Sequence, residues 1–203
     1  MIETFLRWPH GRAAVAADLL RVAGLLGVAI AACFFTATDA GVLAFVLAGL
    51  VLPRFVGVPA AFDVVFCTVL LIAGWSNVFD LYTRVTWWDI PVHFFCTGVV
   101  AVMLCFLLTR AGWMPGSTLQ QAGSVGGLSS PTIVVATATL GLAVSALWEL
   151  VEWFAHSVIS PAIYVEYNDT IGDMAVGGLG AILAGVILSR ATKLQAEKAR
   201  LLA

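Results

Sequence analysis

The chain has 203 residues, 61% of them hydrophobic and 11% charged, with a formal net charge of −2 and a mean hydropathy of +1.01. Soluble domains carry about a quarter charged residues and less than half apolar ones, so a soluble fold of this length has too little interior for this sequence. The composition leaves an all-α integral membrane protein, a polytopic transmembrane helical bundle forming a single membrane domain in contact with the lipid bilayer; no nucleic-acid partner is expected.

A spanning helix takes about 20 mostly apolar residues, and six runs are expected to cross, at 13–35, 40–58, 60–79, 88–108, 131–158 and 169–188. Arg7 and Arg12 precede the first in the charge order of a signal peptide. Its apolar part is too long for one, so an uncleaved span is expected. The second is the weakest. It is apolar only from Ala40 to Leu52, ahead of Pro53 and Arg54, too short for a hydrocarbon layer of about 30 Å unless it continues towards Val58 or the bilayer thins. Residues 109–130 form a Gly/Ser-rich loop whose GSVGG lacks a following Lys-Ser/Thr, which argues against a phosphate-binding loop. Residues 190–203 form a basic tail. Cys33, Cys67, Cys96 and Cys105 lie in apolar runs without paired spacing and read as free buried thiols.

Six spans put Arg7, Arg12, Arg54, Arg110, Arg190, Lys193, Lys198 and Arg200 on one side and Arg84 alone on the other. The positive-inside rule then gives N-in/C-in, with the 109–130 loop and the tail in the cytoplasm. Asp63 falls on that cytoplasmic side.

The ionisable residues within the spans collect at the opposite end. Asp89 and His93 start the fourth span, Glu149, Glu152 and His156 end the fifth, and Asp169 and Asp173 start the sixth. Residues four apart on a helix are separated by only about 40° around its axis, so Asp89/His93, Glu152/His156 and Asp169/Asp173 each mark one face. Lipid exposure would cost roughly 2.5–3.5 kcal/mol per charged residue near the bilayer centre, less towards its edge. The three faces are therefore expected to meet in one extracytoplasmic pocket.

Five carboxylates crowded together need compensating positive charge, either a cation or protons. Carboxylates mixed with imidazoles suit zinc, manganese or iron, and inward-facing Glu and His on bundle helices build such centres elsewhere. The candidate ligands of a divalent metal ion are Asp89, His93, Glu149, Glu152, His156, Asp169 and Asp173. Glu149 and Glu152 are the candidate catalytic groups, one free of the ion acting as general base towards water that the ion acidifies. The matching function is a metal-dependent membrane enzyme acting on a lipid-like or amphiphilic substrate. Two other classes fit the same residues: a proton- or cation-coupled transporter, against which stands the lack of a polar series across the inner half, and a structural protein whose polar network locks helices. At Asp89 and Asp169 a helix cap competes with a ligand role.

Around the site, Trp87, Trp88, Trp148 and Trp153 read as an interfacial aromatic belt, with the lining of a substrate pocket as the alternative. Asn77, Asp80 and Tyr82 are candidates for orienting the ligands. Gly177, Gly178 and Gly180 mark close helix packing. Ser145 and Ser157 are better explained by backbone hydrogen bonds than by a nucleophile.

Trp88-Asp89 with His93, Trp148-Glu149 with Glu152, and Asp169-Thr170 with Asp173 and Gly180 resemble the YjdF-like family of bacterial inner-membrane proteins over the third to sixth spans. A looser likeness is to VanZ-like membrane proteins. The resemblance implies a bacterial plasma-membrane location and a polar set acting as a unit; it implies no reaction.

Overall fold

The computed structural model describes residues 2–114, 129–159 and 165–202. These form α1 (Ile2–Leu6), α2 (Arg12–Phe34), α3 (Ala37–Val56), α4 (Ala60–Val78), α5 (Leu81–Arg84), α6 (Asp89–Arg110), α7 (Ser130–Val158) and α8 (Tyr167–Leu202), with no strand among the described residues. Six of the helices, α2, α3, α4, α6, α7 and α8, are long and apolar enough to cross a membrane. The described residues fall into two compact units, one ending at Trp88 and one beginning at Asp89.

In the first unit α2, α3 and α4 pack on one another. The weakest expected run is a continuous helix of 20 residues, about 30 Å long. It starts three residues earlier than expected because Thr36 and Asp39 cap each other's backbone N–H reciprocally. It runs through Pro53 and stops at Gly57, whose φ of 77° is left-handed and suits glycine. The short helices α1 and α5 were not expected. Phe5 of α1 stacks on Phe55 with ring centroids 4.4 Å apart.

Four charged side chains tie this unit together. Arg21 donates to Asp63 Oδ1 at 2.5 Å, Asp18 Oδ1 at 2.9 Å and the Leu50 carbonyl at 2.8 Å. Arg54 lies 3.4 Å from Asp18 Oδ2 and donates to the Phe5 and Arg7 carbonyls. The Cys67 thiol, free as expected, lies against Asp63 and the Leu50 carbonyl.

In the second unit α6, α7 and α8 pack on one another, and the buried faces are small and polar rather than bulky. On α7 the buried residues fall every fourth position: Ile133, Thr137, Gly141, Ser145 and Glu149. The buried face of α8 includes Asp173, Gly177, Ala181, Gly185 and Ser189, and that of α6 includes His93, Thr97, Ala101 and Cys105. A Cβ on Gly180 would strike the Phe94 carbonyl, one on Gly141 would strike the Ala181 methyl, and one on Gly98 would lie 3.0 Å from the Gly180 carbonyl oxygen. Such contacts drive helix association in lipid, where apolar burial between helices gains little. Their consequence is to hold the three helices close enough for short acidic side chains to meet.

Two expected segments differ in detail. The tail from residue 190 continues α8 as helix, with no break after the apolar part. Of the 109–130 loop, Thr109 and Arg110 belong to α6 and a turn with Gly112 at φ 79° follows. The GSVGG stretch lies outside the described residues.

Candidate functional site

The site belongs wholly to the second unit. Asp89 is the first residue of α6 and His93 sits one turn on, on the same face. Glu149 and Glu152 lie in the last third of α7. Asp173 lies near the start of α8, on the stripe that continues into Gly177 and Ala181.

His93 is the meeting point. Its Nε2 lies 3.2 Å from Asp89 Oδ1 and 3.7 Å from Asp173 Oδ2, with its side chain only 8% exposed. Asp89, His93 and Asp173 present ligand atoms all within 4.8 Å of one another, and His93, Glu149 and Glu152 do the same. One imidazole thus joins carboxylates from three helices. Asp89 and Asp173 lie against the same His93 nitrogen, and two ionised carboxylates so close together need a proton or a cation between them.

Glu149 is the most exacting member. It is buried, and among the described residues its Oε1 has no hydrogen-bond partner, although Thr170 of α8 faces the carboxylate. Buried carboxylate oxygens are normally satisfied, and leaving one unmade costs on the order of 1–3 kcal/mol or more. Glu152 is half-buried and accepts a 2.8 Å hydrogen bond from the Trp148 indole one turn earlier. Ser145, one turn below Glu149, donates to the Asp173 carbonyl at 3.4 Å and so ties the register of α7 to that of α8.

Of the seven residues expected to converge, five fall into two groups that share His93, one with Asp89 and Asp173 and one with Glu149 and Glu152. His156 and Asp169 belong to neither group of ligand atoms. Each lies one helical turn, about 6 Å, nearer the helix end than its i, i+4 partner. Sharing a face does not bring both members to the same depth. The surrounding residues also sort themselves. Asn77 donates to Asp39, Asp80 pairs with Arg84 and Tyr82 donates to the Ala73 carbonyl, all inside the first unit. Ser157 donates to the Trp153 carbonyl. The role missed from sequence is that of Trp148, read there as part of an aromatic belt; its i, i+4 relation to Glu152 was the available signal.

The donor set fits a divalent ion. Around an ion with bonds of about 2.1 Å, two ligand atoms are at most about 4.2 Å apart. Atoms already within 4.8 Å close on it with small side-chain movements. Each group offers two carboxylates and one imidazole with no thiol, a set that matches the ligand preferences of zinc, manganese or iron.

A family model described as "Predicted membrane protein (DUF2238)" matches residues 14–194, from the first turn of α2 to the last turns of α8. No curated protein and no solved structure matches the chain.

Proposed function

We propose that this chain, which belongs to the DUF2238 family of predicted membrane proteins, is a metal-dependent membrane enzyme. Its divalent ion is held by His93 with carboxylates from α6, α7 and α8, and it acts on a lipid-like or amphiphilic substrate. The observation that carries the reading is the buried, unbonded Oε1 of Glu149 in a carboxylate cluster centred on His93. A buried acceptor among other acids calls for positive charge at that point. The ion supplies Lewis acidity. Glu152, oriented by the Trp148 indole, takes the proton from the attacking water as general base.

The location follows from the same proposal. Basic residues at both termini and after α6 favour N-in/C-in, with the cluster at the extracytoplasmic end, where amphiphiles present their polar groups. The YjdF-like resemblance adds a bacterial inner membrane and one multi-pass domain.

The test is elemental mass spectrometry of protein purified in detergent without chelators, beside His93→Ala and His156→Ala. Stoichiometric zinc, manganese or iron lost in His93→Ala and retained in His156→Ala supports the reading. A well-folded, ion-free wild type sinks it. The cluster would then hold protons, with Asp89 and Asp173 both against His93 Nε2, and proton-coupled transport in liposomes becomes the question. If substitutions only unfold the protein, the cluster is a helix-locking network.

A further inference from the structure

We infer that the reacting group this site accepts is an uncharged carbonyl, the ester or amide of an amphiphile, and that phosphate esters are rejected. The inference rests on the metal reading above and extends it to the substrate.

Charge is the first ground. Two carboxylate pairs flank His93, Asp89 with Asp173 and Glu149 with Glu152; one divalent ion offsets two charges, and Glu152 must stay ionised to act as base. A phosphate group entering such a site meets remaining negative charge at a few ångströms, where the local dielectric amplifies repulsion.

The second ground is the lack, among the described residues, of any group besides the ion to receive a phosphate. Beyond a metal ion, phosphate sites use Arg or Lys side chains or free N–H groups at helix starts to complete the charge balance. In the second unit α7 contains no Lys or Arg. The Arg nearest in sequence to His93 on α6 is Arg110, 17 residues on, and the one nearest to Asp173 on α8 is Arg190, also 17 residues on. Each is about 25 Å away along its helix. Arg84 is paired with Asp80 in the first unit. The two helix starts at this end, those of α6 and α8, already carry Asp89 and Asp169 in their first turns. Acids there use up the favourable end of the helix dipole.

The third ground is apolar. Trp148, whose indole N–H donates to Glu152, is 40% exposed. It offers aromatic surface to an acyl chain beside that carboxylate. In the reaction, the oxygen of water bonds to the carbonyl carbon and the bond from that carbon to the alkoxy oxygen or amide nitrogen breaks. Glu152 takes the proton of water and returns it to the leaving alkoxide or amine. Nothing is oxidised or reduced.

The experiment uses the full chain in a neutral detergent, with ion content measured on the same sample. The probes are p-nitrophenyl octanoate and octyl p-nitrophenyl phosphate, which share a chain length and a leaving group. Cleavage is read relative to His93→Ala, with inorganic phosphate added as competitor. Expected is ester cleavage at least tenfold above His93→Ala, no phosphodiester cleavage above it, and no inhibition by millimolar phosphate. An ion-loaded protein that cleaves the phosphodiester, is inhibited by phosphate, or cleaves neither probe overturns the inference and leaves the metal site standing. A protein without ion overturns the metal reading and this inference with it.

Discussion

Replacing Gly180 with alanine tests how the second unit brings its acids together. The added methyl would sit 2.8 Å from the carbonyl carbon of Phe94 and 3.1 Å from its Cα, with the carbonyl oxygen nearer still. Carbon contacts settle at about 3.5–4.0 Å, and all three atoms are backbone, so no side-chain rotation relieves the clash. Clearing the carbonyl oxygen opens the α6–α8 gap by roughly 1 Å or more, at an overpacking cost of about 1–3 kcal/mol. For a chain of this size that lowers the melting temperature by about 2–12 °C. His93 precedes Phe94 directly and moves with it, so its 3.7 Å approach to Asp173 lengthens and ion affinity falls as well. Gly172, on the same helix, is the control. A Cβ there meets nothing within 4 Å, and alanine gains up to about 1 kcal/mol of helix propensity. Thermal unfolding in detergent, followed by tryptophan fluorescence, compares the two. A Gly180→Ala protein that melts at or above the wild type refutes the close packing of α6 on α8.

In the first unit, Arg21→Met leaves Asp63 buried without its main partner and is expected to destabilise by about 3–5 kcal/mol. Arg21→Met/Asp63→Leu should recover most of the loss, because Asp18 keeps Arg54 at 3.4 Å; a double variant as unstable as the single would argue against the pairing. Trp148→Phe keeps the aromatic bulk and removes only the N–H that holds Glu152. Hydrolytic activity should fall about 10- to 100-fold with little change in ion content or melting temperature, and cleavage of p-nitrophenyl octanoate reads this directly. Thr36→Ala removes one half of the α3 capping box and should cost about 0.5–2 kcal/mol, measured by the same unfolding assay.

The six long helices were legible because apolar runs of spanning length have few alternatives in a chain this hydrophobic. The start of α3 was less so, since the Thr36–Asp39 box looks polar in sequence although it opens the helix. At the site, Asp89 with His93 was readable from i, i+4 spacing, and so was the meeting of three helices. Which member of each acidic pair reaches His93 was not. That depends on how far each helix slides along its neighbours, and Gly180, Gly141 and Ala181 set that sliding through contacts between distant parts of the chain. The same periodicity made Glu152/His156 look like one unit, whereas Glu152 groups with His93 of another helix. Asp63 could be assigned away from the cluster, but its pairing with Arg21, 42 residues earlier, has no local signal.

The most direct test of the central claim is X-ray absorption fine structure at the metal edge of the protein as purified, or loaded with zinc, repeated on His93→Ala. The account predicts an inner shell of oxygen and nitrogen at about 2.0–2.2 Å with no sulfur, and the outer-shell signature of one imidazole that disappears in the variant. An ion surrounded by water alone, a sulfur shell, or a spectrum unchanged by the loss of His93 would contradict it.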